Sequence, residues 1–226
     1  MRVSRLLGLA IALAIGFAVQ ANAAIVPWSN PNGVAPGFVW ANGHNDTNLF
    51  GSPTVVGNQF IFTPSNFIAN SNNGVSGTAH DTTQVDITLN PGFVLQQINV
   101  FELGDYQISG AGSVNAGGTL VLTDLINGGL PSFGSLITNP AMPVSTPTAG
   151  AAIWTGSATA ALGPNTTSFR LTLDNILNAL SAQGGASFIE KKFASGVVVE
   201  IIIPEPATLG LLAVGAPMIL ARRRRK

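Results

Sequence analysis

His44 and His80 are the only two imidazoles in this 226-residue chain, and each stands beside a carboxylate, in Gly43-His44-Asn45-Asp46 and Ala79-His80-Asp81-Thr82. A nucleophilic triad needs a base, an orienting carboxylate and a hydroxyl that meet in space. No nucleophile elbow and no zinc-type histidine spacing accompanies either residue, so both read as turn histidines. Acid pairs are the next chemistry to weigh, because glycoside hydrolysis needs only two carboxylates. Asp81 with Asp86, and Glu102 with Asp105, stand close in sequence and keep a secreted acid-pair hydrolase as the alternative function. Turn capping by aspartate explains the same residues more simply, and the chain reads as a non-enzyme.

Hard oxygen ligands are plentiful in 42–48, 70–74 and 80–86, and Asp46, Asp81 and Asp86 are the carboxylates that could serve calcium there. Calcium accepts flexible sets of six to eight oxygens, but the Asp-x-Asp-x-Asp-Gly spacing of an EF-hand loop is missing. Asn-rich turns account for the composition, so no cofactor is expected, with calcium as the one metal these residues could hold. Trp28, Trp40, Trp154 and Tyr106 could stack on sugar faces, although so few large aromatics are expected in a core.

These groups must be positioned by strands. In Thr83–Asn90 the apolar Val85, Ile87 and Leu89 alternate with polar residues, and in Ser168–Asp174 Phe169, Leu171 and Leu173 do the same. Period two gives a strand one apolar and one wet face, as in a half-buried antiparallel sheet. Further strands are expected at 37–41, 58–63, 95–103, 118–125, 151–160, 186–192 and 197–203, separated by Asn/Gly/Pro turns. One short helix is expected over Ile176–Ala182, capped by Asp174 or Asn175 and stopped by Gly184-Gly185. Residues 138–150, with three prolines, read as an extended loop, and 24–50 as a segment wrapping the sheet edges. The expected fold is all-β, a single antiparallel β-sandwich of jelly-roll-like form spanning 24–202.

The overall charge is misleading. Ten basic and ten acidic residues cancel, yet Arg2, Arg5 and Arg222–Lys226 supply seven of the basic ones. The body carries only Arg170, Lys191 and Lys192 against nine acids, a balance of −6. Nucleic-acid binding requires clustered Lys and Arg to neutralise phosphates, so it is excluded as a function. There is no cysteine, and a body of this length can close a core without disulfides.

The N-terminus has a basic start, an apolar run from Leu6 to Val19 and the small-residue site Ala21-Asn22-Ala23. These are the parts of a secretory signal peptide, 1–23, with signal peptidase cutting between Ala23 and Ala24. The other end runs Pro204-Glu205-Pro206, an uncharged stretch 207–221, then Arg222, Arg223, Arg224, Arg225 and Lys226. As a helix the uncharged stretch rises about 22 Å, short of the roughly 30 Å hydrocarbon core, and Pro217 weakens it. The basic end would stay on the cytoplasmic side of a membrane.

That order of triplet, apolar run and basic end resembles the PEP-CTERM sorting signal of bacterial exported proteins, also catalogued as an ice-binding protein C-terminal domain. The likeness covers 203–226, and Pro217 departs from the usual Leu/Ala/Gly run. It implies a single transmembrane sorting helix, recognition by an exosortase that cleaves at or near Pro204–Pro206, and a role linked to exopolysaccharide, biofilm or floc. The expected protein is therefore exported, briefly anchored, then displayed at the surface or released. Its expected role is structural or adhesive, with extracellular polysaccharide as partner. A carbohydrate- or ice-binding module is a further alternative, although no regular threonine ladder repeats.

Overall fold

The computed structural model describes residues 25–192 and 196–204. The expected signal peptide, with Ala21, Ala23 and Ala24, lies outside the described residues. So do Glu205, Pro206, the run 207–221 and Arg222–Lys226. The described chain is all-β and has no helix. In chain order it forms β1 (Val26–Pro27), β2 (Gly33–Val34), β3 (Phe38–Asn45), β4 (Thr54–Val56) and β5 (Gln59–Phe62). Next come β6 (Ile68–Asn72), β7 (Gly77–Leu89), β8 (Gln97–Ser109), β9 (Gly112–Asp124) and β10 (Ser132–Ser135). Last are β11 (Ile137–Asn139), β12 (Ala152–Ala160), β13 (Ser168–Ser181), β14 (Ala186–Lys191) and β15 (Val197–Ile202).

They build two antiparallel sheets. Sheet A runs β1-β3-β7-β13-β9-β10, with β2 also on β3. Sheet B runs β11-β12-β8-β15-β5-β4, and β14 bridges β8 to β6. The long β8 is shared along its length, pairing with β15 over 97–102 and with β14 over 104–109. One continuous core takes side chains from both sheets, and its largest fully buried members are Trp154 and the phenylalanines 38, 50, 60, 62, 67 and 169. Rings meet edge-on or tilted across it, Phe50 to Phe67 at 5.2 Å and Trp28 to Phe62 at 5.6 Å, the geometries that aromatic quadrupoles favour.

All nine segments that alternate in sequence are strands. The additional short strands β1, β2, β4, β6, β10 and β11 come from segments that read as loops, and β1, β4, β10 and β11 close the sheet margins. Within 138–150 the chain is mostly loop, but Ile137–Asn139 pairs with β12 and Val144 bonds Val114 in both directions. The 24–50 segment does supply edge strands, and it also supplies β3, which lies inside sheet A.

The expected helix over Ile176–Ala182 is absent. These residues continue β13, which pairs with β7 as far as Ala179 and with β9 as far as Ser181. Asp174 caps nothing. Its carboxylate instead receives Thr82 Oγ1 at 3.1 Å and contacts His80 Nε2 at 2.7 Å on the neighbouring strand. Two flanking ladders satisfy every backbone group that a short helix would leave unpaired at its ends, so tertiary context overrides local propensity. The alternation makes a clean test, since the chain has no native cysteine. Ile176→Cys and Asn178→Cys should react readily with a thiol reagent, whereas Leu177→Cys and Ala179→Cys should be protected until the protein unfolds. Equal rates at 176 and 177 would contradict the strand.

Candidate functional site

The three carboxylates that could have shared calcium do not converge. Asp81 points inward from β7 and is fully buried. It accepts the backbone N–H groups of Thr47 at 2.7 Å, Leu49 at 2.6 Å and Phe50 at 3.0 Å. Its two oxygens thus tie the 46–50 turn to the sheet. Asp86, an odd number of residues away on the same strand, points outward. Arg170 holds it in a two-pronged pair, Nε at 2.7 Å and Nη2 at 3.0 Å, and Asn42 Nδ2 adds a third bond at 3.0 Å. The Arg170 hydrogen bond holds the Asp86 carboxyl below the usual carboxylate range. Asp46 sits on the turn that Asp81 secures, its backbone N–H on Thr82 O at 3.0 Å. Among the described residues no three His, Cys, Asp or Glu side chains cluster as a metal site.

The same parity separates the acid pairs. Asp81 and Asp86 lie on opposite faces of β7, and Glu102 and Asp105 on opposite faces of β8. Glu102 is buried against Lys191, while Asp105 pairs with Lys192 at the surface. Neither pair can flank one scissile bond, as paired-carboxylate hydrolysis requires. The carboxylate facing His80 is Asp174, 94 residues away, and not the adjacent Asp81. His44 Nδ1 hydrogen-bonds with the Asn42 carbonyl at 2.7 Å. Trp28, Trp40, Trp154 and Tyr106 are all buried, so none offers a sugar platform.

What the outer surface does offer is a ring that sequence reasoning passed over. Phe101 projects from the outer face of sheet B and is 49% exposed. Ser157 of β12 and Val198 of β15 flank it in register, with Ile137 beyond Ser157 and Ile61 beyond Val198. The next row along the same face is polar. Asn99 accepts Thr159 Oγ1 at 3.1 Å and Gln97 Nε2 at 2.9 Å, and Gln59 Nε2 donates to Glu200 at 3.2 Å. Phe101 borders a shallow groove of about 390 Å³ that includes Ile137, Asn139, Thr155 and Ser157. A flat ring beside a lattice of hydroxyls, amides and one carboxylate can stack on the apolar face of a sugar while the lattice bonds its hydroxyls. The signal was present in Gln97-Ile98-Asn99-Val100-Phe101, where alternation assigns Phe101 to the wet face.

The role of Asp81 is testable. Hydrogen bonds to a charged acceptor contribute about 1.5–3 kcal/mol each, so Asp81→Asn should lower stability by about 3 kcal/mol or more. Asp86→Asn, at a partly exposed pair, should cost about 1 kcal/mol or less. Urea midpoints of the two variants check the order, and the reverse order would remove Asp81 from its tethering role.

No family model matches the chain, and no curated protein matches it either.

Proposed function

We propose that this chain is an exported surface or extracellular-matrix protein of a bacterium, with a structural or adhesive role in exopolysaccharide. In this reading an exosortase acts at Pro204, Glu205 and Pro206 after signal peptidase has removed 1–23. The 207–221 run holds the chain in the membrane, oriented by Arg222–Lys226, until that step. The body is a β-sandwich, jelly-roll-like in that successive long strands alternate between the sheets. The observation that carries the reading is the position of the triplet. The final strand ends at Ile202, and Pro204 follows it as an exposed residue. Cleavage there leaves every strand of the body in place. The acidic body and the Phe101 face with its Asn99, Thr159, Glu200 and Gln59 lattice favour a neutral, hydroxyl-rich partner over a nucleic acid.

Two measurements test the two halves. Replacing Pro204, Glu205 and Pro206 with alanine should leave export intact and strand uncut chains in the membrane fraction. Lys226 still attached to the mature wild-type protein, in cells with an active exosortase, would remove the sorting role. For the surface, Phe101→Ala should weaken retention on exopolysaccharide from the producing cells by about fivefold, since loss of ring stacking is worth about 1 kcal/mol. Unchanged retention would move the contact elsewhere.

A further inference from the structure

The least settled chemistry in the molecule lies inside the sandwich. Lys191 points inward from β14 with its side chain wholly buried, and its ammonium contacts Glu102 Oε2, also wholly buried. The Nζ lies 5.2 Å from the Phe67 ring centroid and 5.3 Å from that of Trp154. Burial pushes the Lys191 amine below the usual lysine value, with Glu102 opposing. The second Glu102 oxygen, Oε1, has no partner among the described residues. Across the core on β13, Asn175 is fully buried, and neither its Oδ1 nor its Nδ2 has a partner there. Buried polar atoms are nearly always hydrogen-bonded, so three orphans in one core call for an explanation.

Counted from the arch that joins their strands, Asn175 and Lys191 stand at similar distances along facing sheets. Strands β13 and β14 belong to opposite sheets and are joined by the turn closed by Gly185 N–H on Ala182 O at 3.0 Å. Ser187 Oγ donates to Leu180 O at 2.8 Å and pins that arch. Asn175 stands seven residues before Ala182 and Lys191 six after Gly185, both on inward positions. Glycine makes the room. A Cβ on Gly118 would stand 2.1 Å from Asn175 Nδ2, and one on Gly104, opposite Lys191, would stand 2.2 Å from Trp154 Nε1.

We propose that Lys191 and Asn175 are joined by an intramolecular isopeptide bond, with Glu102 as the proton relay. Glu102 takes a proton from Lys191 Nζ, and the neutral amine adds to Asn175 Cγ. Glu102 hands that proton to Nδ2 as the Cγ–Nδ2 bond breaks and ammonia leaves, then takes the second proton from the new amide nitrogen. A new Nζ–Cγ amide remains, with no oxidant or cofactor consumed. Asn175 is the acceptor because its carboxamide is neutral and unheld, whereas Asp81 beside it is spent on three N–H groups. A dry site keeps the amine nucleophilic, and holding the two groups together replaces a bimolecular encounter. The product leaves neither Lys191 nor Glu102 charged and removes the unpartnered Nδ2 as ammonia. An exported domain without cysteine would thereby gain a covalent staple that reductants cannot open.

The test is peptide mass spectrometry on the whole chain expressed in cells, which processing at either end does not disturb. Trypsin cuts after Arg170 but cannot cut after a linked Lys191. The expected product runs from Leu171 to Lys192 and is lighter by about 17 Da, the mass of ammonia. A glutamate-specific protease, cutting after Glu190, should leave its two segments still joined. Separate segments would mean a cyclised Asn175 and no bond to Lys191, and would overturn the proposal. So would an unmodified peptide ending at Lys191. A loss of about 18 Da with Lys191 joined to the Glu102 peptide would also overturn it. Glu102→Gln should convert most of the linked peptide to the free form. If that variant links fully, Glu102 is not the relay. If it fails to fold, the wild-type peptide decides the bond by itself.

Discussion

Two-residue alternation along a few long strands is the constraint on which the rest of the structure depends. β7, β8 and β9 each run 13 residues and β13 runs 14, long enough to traverse a sheet and fix the face of every side chain they carry. A shift of one residue would turn Phe169, Leu171 and Leu173 to water and Arg170 into the core. The same parity separates Asp81 from Asp86 and Glu102 from Asp105. It sends one member of each pair to an interior task and the other to a surface ion pair.

The interior is not uniformly apolar, and its polar residues fall into two groups. Asn45 and Asp81 are fully employed. Asn45 receives Trp28 Nε1 at 3.1 Å and donates to Gly51 O at 2.8 Å, while Asp81 collects three backbone N–H groups. Both hold the 46–51 turn against sheet A. Lys191, Glu102 and Asn175 are the other group, charged or amide-bearing and incompletely bonded. Desolvating an ion pair is recovered only when geometry and extra hydrogen bonds compensate, and these residues leave that compensation unfinished. A covalent end point resolves the imbalance.

Charge is divided unevenly between the ends and the body. Seven of the chain's ten basic residues stand at the two ends, so the folded body is acidic, with hydroxyl and amide side chains supplying most of its outer polarity. The outer face of sheet B places one exposed ring against such a lattice. The Pro-Glu-Pro triplet begins two residues after the last strand, at an exposed Pro204.

What the sequence determined by itself was whatever depends on neighbours in the chain. The strands at 83–90 and 168–174, the buried Trp28, Trp40, Trp154 and Tyr106, and the acidic body behind a neutral total follow from alternation and counting. Phe101 was legible too, as an aromatic at a wet position of an alternating strand. Only the tertiary structure decided the rest, because it depends on which strands become neighbours. Ile176–Ala182 looks like a capped helix until β7 and β9 flank it and take its hydrogen bonds. His80 has an aspartate next to it in sequence, yet its partner is Asp174 on the adjoining strand. Lys191 and Glu102 carry no motif, and they meet because β14 pairs with β8, a contact that no local spacing encodes.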